Sequence, residues 1–273
     1  MKNIPPETIK KLKTLSKKFE TKDFLKDDPS QFIYYYSNPQ DIELCSFIAS
    51  LLSFGNRKQF IPKIKFIMEQ ADSSGGIYKW IKNFDFEKMF SISDNRKYYR
   101  FYSYKDFYYL FFELHKILLS EKSLGIFFST KYQEALSCKD FSSGKIEKIN
   151  LIDLIPKFFP NCKIVPSTKS SAKKRLCMFL RWMVRTNSPV DIGLWPWYSK
   201  NDLLIPMDVH VLEEAQNLNL LHKNATASRK YAEELTSIAK QIFPGDPCKL
   251  DFALFGLGVT KKNINSTLTV QLF

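Results

Sequence analysis

An all-α fold, or nearly so, arranged as one domain with two lobes, is what this 273-residue sequence predicts. Three observations carry the prediction. Apolar residues recur at helical spacing in several long segments. Strand-like composition is confined to two short runs, "CKIVPST" and the tail "STLTVQLF". There is no internal repeat and no long low-complexity linker, so one helical domain is the simplest architecture.

The elements follow in order. "DIELCSFIASLLSF" places Leu44, Cys45, Ile48, Leu51 and Leu52 on one face, and Gly55 suits a C-terminal cap. "RKQFIPKIKFIMEQ" restarts a helix, with Pro62 tolerated only near its first turn. The stretch Tyr98–Phe112 holds ten aromatics in fifteen residues. Most of these rings are expected between helices, and some at a surface or groove where tyrosine hydroxyls find partners. "YKDFYYLFFELHKILLSE" is a long helix with a broad apolar stripe. A loop over 142–148, "SSGKIEK", separates an aromatic-rich lobe, 1–141, from a basic lobe, 149–273. In the second lobe "SAKKRLCMFLRWMVRT" turns Leu176, Phe179, Leu180 and Met183 inward. "PMDVHVLEEAQNLNLL" opens on Pro206 and Asp208, and Asp is a strong N-cap. "SRKYAEELTSIAKQIF" is amphipathic and stops at "PGDP", and "CKLDFALFGLG" is a short last helix.

Several functional classes are disfavoured. Glycine is scarce, at 9 residues, and neither G-x-G-x-x-G nor a Walker-type loop occurs. No apolar run reaches membrane-spanning length. The basic N-terminus lacks the apolar core of a signal peptide, so a cytoplasmic monomer is expected. Cys45, Cys138, Cys162, Cys177 and Cys248 show no C-x-x-C and no iron–sulfur spacing. The three histidines add no metal-ligand pattern, so no metal is expected.

The net charge of +13 is unevenly spread. No acidic residue lies between Asp153 and Asp191, a window holding Lys157, Lys163, Lys169, Lys173, Lys174, Arg175, Arg181 and Arg185. A field of that sign suits a polyanion, most simply nucleic acid. Lys174, Arg181 and Arg185, at offsets of seven and four, fall on one helical stripe, with Trp182 beside them. The preceding "STKSS" is rich in hydroxyls that can cap a helix, and a helix start with lysines favours a phosphate.

Two motifs together resemble the helix-hairpin-helix DNA glycosylase superfamily, of which endonuclease III is a member. "PMDVHVLEEAQNLNLL" is similar to that superfamily's V-D-T-H-V segment, and "KKRLCMFLRWM" to its lysine-bearing helix. The resemblance implies a two-lobed helical fold around a central groove. It implies removal of a damaged base, flipped out of duplex DNA, with lyase chemistry as a possible second step. Lys174 then matches the attacking amine, with Lys173 next, and Asp208 matches the assisting carboxylate. Lys163, Lys169, Arg175, Arg181, Arg185 and His210 would contact DNA. "DIELCSFIASLLSFGNRKQ" is similar to the first core helix and the loop that fills the space left by the flipped base, here Gly55–Gln59 with Asn56 and Arg57. Trp182, Trp195 and Trp197 would line the base pocket. The resemblance spans roughly residues 40–70 and 165–225.

More narrowly, "RLCMFLRWMVR", "LLSFGNRKQ" and "DFALFGLG" together resemble an uncharacterised bacterial family of about this length, over most of the chain. The departures from the glycosylases are specific. The glycine-containing hairpin is replaced by "STKSSA", which weakens the case for a backbone phosphate nest and its monovalent cation. Lys174 and Asp208 stand 34 residues apart, farther than in endonuclease III, and the four-cysteine cluster is absent. No other cofactor is implied. The alternative is a non-catalytic DNA- or RNA-binding protein on the same scaffold.

Overall fold

The computed structural model describes residues 3–26, 28–138 and 149–258. The predicted loop 142–148 and the tail "STLTVQLF" lie outside them. Among the described residues the fold is mainly helical, as the periodicity indicates.

The organising element is α2 (Pro39–Leu52). Asn38 caps it, accepting the Gln40 N–H at 3.0 Å, and Pro39 sits at its first position, where a missing N–H costs nothing. The helix is buried on nearly every side, including Asp41, Glu43, Ser46 and Ser50. A buried carboxylate needs partners. Glu43 accepts the Gly125 N–H at 3.1 Å and the Trp195 indole N–H at 2.8 Å. A Cβ at Gly125 would overlap both groups, so only glycine lets the chain approach this closely.

Around α2 pack α4 (Ile77–Lys82), α6 (Leu124–Ser137) and α8 (Lys174–Val184). Between them run α3 (Arg57–Asp72), which carries Pro62 inside it, and α5 (Tyr104–Ser120). A capping box opens α5: Ser103 and Asp106 each satisfy the other's backbone N–H. The aromatic stretch mostly packs inward, with Phe107, Phe111 and Tyr98 buried around Phe90. Part of it forms a two-stranded hairpin, β1 (Lys97–Tyr99) and β2 (Tyr102–Ser103). "CKIVPST" forms no strand.

Burial divides into two apolar clusters. One runs from Phe32 to Leu203 and takes in α2 to α6, α7 (Leu151–Leu154) and α8. The other joins α1 (Pro6–Phe19) to α9 (Val209–Asn217), α10 (Arg229–Ile242) and a helix over 249–258. Cys248 joins the first cluster and Ala172 the second, while the N-terminal helix thus packs with the C-terminal ones. Their apolar faces match across a long sequence separation, which local composition does not reveal.

Candidate active site

Asp208 caps α9. Its Oδ1 accepts the backbone N–H of His210 and of Val211, each at 3.0 Å. Its other oxygen, Oδ2, lies 3.3 Å from Lys174 Nζ, in the first turn of α8. Both side chains are one-third exposed. The two residues singled out in the sequence therefore meet. Burial penalises the Asp208 anion, but the Lys174 charge and the Val211 N–H outweigh it, and the carboxyl is held below its ordinary value.

Within "SAKKRLCMFLRWMVRT" the helix begins only at Lys174. Lys173 adopts a left-handed conformation (φ 48°), ending the irregular chain with a turn where no hydroxyl caps the helix. It borders the same cavity as Lys174, but its amine is engaged elsewhere. It is buried, and Nζ donates to Asp153 Oδ1 at 2.8 Å and to the Ile152 carbonyl at 3.3 Å. Lys173, the second candidate for the attacking amine, is instead a structural cation that joins α7 to α8.

A cavity of about 750 Å³ opens beside the Lys174–Asp208 pair. Phe24, Phe60, Met178 and Phe255 supply apolar wall, and Asp28 and Asp251 supply two further carboxylates. Asp28 accepts the Ser30 hydroxyl at 2.7 Å and pairs with Arg57 at 3.1 Å. Asp251 is buried and bonded to Arg181. Burial dominates there, and with the nearby Asp208 charge it overrides Arg181, pushing the Asp251 carboxyl up to about 6.

Arg181 and Arg185 are not free for a polyanion, which corrects the expectation from the basic stripe. They are 3% and 1% exposed. Arg185 pairs with Glu20 at 2.7 Å, with Asp246 through two nitrogens at 2.9 Å, and with Asp191. Arg181 pairs with Asp191 at 3.2 Å and with Asp251. The stripe is real, but it faces acids contributed from outside the acid-free window. Trp182 and Trp195 are likewise fully buried, away from the cavity. Trp195 donates to Glu43, the Trp182 indole N–H has no hydrogen-bond partner among the described residues, and half-buried Trp197 stacks on Trp195 at 5.5 Å. Tryptophans in "RWMV" and "WPWY" serve the core because their flanking residues do.

The remaining candidates divide. Lys163 and Lys169 are exposed. Half-buried Arg175 lines the cavity, donates to the Leu51 carbonyl and reaches the Tyr102 hydroxyl at 3.1 Å. Exposed His210 also lines the cavity. Asn56 caps α3 through the Lys58 N–H at 3.0 Å, and Arg57 lies over the Phe255 ring at 5.7 Å. Sequence reasoning missed Asp28, Met178, Asp251 and Phe255. The acid in the otherwise apolar "LDFALFGLG" was a usable signal for Asp251. Nothing local marked the others.

Among the described residues, no helix is long and apolar enough to cross a membrane, and no group of three or more His, Cys, Asp and Glu could hold a metal ion. No curated protein and no solved structure matches the chain. The model of the family described as Protein of unknown function (DUF2400) matches residues 28–260, a span that contains Lys174, Asp208 and Asp251, and the chain belongs to that family.

Proposed function

We propose that the protein is a DNA glycosylase of the helix-hairpin-helix type, acting on a damaged base flipped out of duplex DNA into the cavity. The observation that carries this reading is the Lys174–Asp208 pair, 3.3 Å apart on the wall of a cavity with aromatic surfaces. The turn at Lys173 that opens α8 serves as the end of the hairpin, made without glycine.

In this reading Lys174 first gives up a proton to solvent water, which leaves Asp208 ionised. Its amine then bonds to the sugar C1′ as the C1′–N bond to the base breaks. The base leaves with the bonding electrons and takes up a proton. Positive charge builds on the sugar in the transition state, and the Asp208 carboxylate lies where it can stabilise that charge. The capping N–H groups keep the carboxylate ionised and aimed. Opening of the sugar ring gives a Schiff base, from which a strand nick can follow. A flipped base is read by stacking and by hydrogen bonds at its edge, and the cavity offers both kinds of surface.

Borohydride reduction should trap a covalent adduct between the protein and abasic-site DNA, and Lys174→Ala should abolish it. Persistence of the adduct in that variant would remove Lys174 as the nucleophile. Binding should run mainly through phosphates. Changing exposed Lys163 and Lys169 to Glu should weaken binding to all duplex sequences alike and lower the salt slope by roughly one to two. A slope unchanged by the pair would place the phosphate contacts elsewhere.

A second reading is a non-catalytic DNA- or RNA-binding protein on this scaffold. The glycine-free "STKSSA" favours it, because a hairpin without glycine presents fewer free N–H groups to a phosphate. Salt-dependent binding without any trapped adduct, over a panel of damaged DNAs, would select it.

A further inference from the structure

The β1–β2 turn exposes Phe101, which is 65% accessible to solvent. The hairpin that carries it is firmly held. Tyr98, Tyr99 and Tyr102 are buried. Their hydroxyls donate to the carbonyls of Lys63 at 2.7 Å, of Phe54, and of Lys163 at 3.4 Å. Three separate segments therefore anchor a turn of two residues. Arg100 takes a left-handed conformation at the tip (φ 53°), uncommon for a side chain of that size. Its guanidinium lies 5.7 Å from the Phe54 ring centroid. A Cβ at Gly55 would overlap that guanidinium, and Gly55 is itself left-handed at φ +83°. Glycine at 55 lets the tip close down on the neighbouring loop.

The same tip adjoins the cavity. Phe101 meets Phe54 at 5.4 Å and Tyr102 at 4.5 Å between ring centroids. Phe54 and Gly55 line the cavity that Lys174 and Asp208 also line. Arg175 stacks over Phe54 at 4.9 Å. Exposed Lys97 and Arg100 belong to the hairpin itself, and exposed Lys163 lies where the Tyr102 hydroxyl reaches its carbonyl. An exposed apolar ring on a rigid mount, flanked by cations at the rim of a cavity, has the properties of a side chain that enters a base stack. Apolar insertion unstacks a base step, while neighbouring cations hold the phosphates and fix the register. The segment Gly55–Gln59, which the glycosylase resemblance put in this role, has no apolar side chain to insert. Its Asn56 side-chain oxygen accepts the Lys58 N–H as the cap of α3, and its Arg57 pairs with Asp28.

We propose that Phe101, presented by Arg100 at the hairpin tip, is the wedge that enters duplex DNA and fills the space left by the nucleotide turned into the cavity. The proposal rests on the glycosylase reading of that cavity. Phe101 is a positioning residue, and it leaves the bond-breaking step to Lys174 and Asp208.

The test compares two duplexes of one sequence, one intact and one with a stable abasic-site analogue, where a wedge meets no base to displace. Wild type should prefer the abasic duplex by roughly tenfold, and Phe101→Ala should bring that ratio close to one. The thermal midpoint of the variant should stay near wild type, because the ring is mostly exposed. Phe101→Trp should restore the preference. Its added indole fluorescence, measured above the four native tryptophans, should be quenched on the abasic duplex by stacking. A preference kept by Phe101→Ala, or an unquenched indole in the saturated complex, overturns the wedge. Wild type that binds both duplexes alike overturns it too, while the Lys174 trapping assay still decides the glycosylase reading. Wild type that binds neither duplex removes both.

Discussion

Asp208→Asn should lower base release by at least about 10²–10³-fold while leaving the fold intact, the size of effect seen when a group aimed at transition-state charge is lost. The reasoning turns on the two jobs of one carboxyl. Oδ1 caps α9 and Oδ2 faces Lys174. Asn keeps an oxygen for the cap and removes the charge. Asp208→Ala removes both, and should also cost about 1 kcal/mol of stability from the lost cap. The ion pair, one-third exposed on each side, adds little to that cost, because solvent screens it. The pH dependence gives an independent check. The Asp208 carboxyl lies below its ordinary value in the folded state, so its electrostatic contribution is complete above the unfolded value. It is lost as pH falls through the lower, folded value. The stability gap between wild type and Asp208→Asn should therefore shrink only on the acid side of the ordinary carboxyl range. Equal turnover of Asn and wild type on every lesion tested would reduce Asp208 to a cap and select the binding-protein reading.

Arg185→Ala should be the most damaging single change for stability. The guanidinium is buried and holds Glu20, Asp191 and Asp246 together, from three distant parts of the chain. Removing one partner of a buried pair leaves its acids desolvated and uncompensated, which costs about 3–5 kcal/mol. For a chain of this size that corresponds to a fall of roughly 6–20 °C in the thermal midpoint. Arg185→Lys should recover little, since an ammonium cannot span both Asp246 oxygens as the planar fork does. A midpoint within about two degrees of wild type would show that the network contributes nothing. The same network reaches the cavity. Two arginines face four carboxylates, and burial pushes both Asp191 and Asp251 up, Asp251 to about 6. Its sign is opposite to that of Asp208. The folded state binds the Asp251 proton more tightly than the unfolded chain does, so this contribution is complete below the ordinary value of 3.8. It declines as pH rises to about 6.

Charge reversal at Arg181 or Arg185 is therefore no probe of nucleic-acid binding, although the basic stripe invited it. Loss of binding in such a variant would report unfolding. Exposed Lys163 and Lys169 are the informative positions, and they belong to the same acid-free window. Charge density along the chain indicated which region is cationic but not which cations are free.

Several long amphipathic helices were legible in the sequence, although α1 and α6, of 14 residues each, were not read as helices. The predicted segments at 41–54, 57–70, 104–121 and 228–243 match α2, α3, α5 and α10 to within two residues. Their periodicity and caps are local properties, which a linear reading captures. Asp208 as a helix start was legible for the same reason, since capping involves residues two and three positions away. Short α4 and α7 escaped because so few residues show no period.

Tertiary structure alone decided which side chains meet. The Lys174–Asp208 contact spans 34 residues, and other parts of the cavity wall come from Asp28 and Phe60 on one side of the sequence and Asp251 and Phe255 on the other. It also decided that Lys173 is buried while its neighbour is not, because a left-handed turn rotates adjacent side chains apart. The sequence by itself determined the helical class, the caps and the two motifs, all of which depend on neighbours a few residues apart. Burial, ion pairing and the cavity depend on packing between distant segments. A buried arginine and an exposed one look alike until the acids that fold over them are in place.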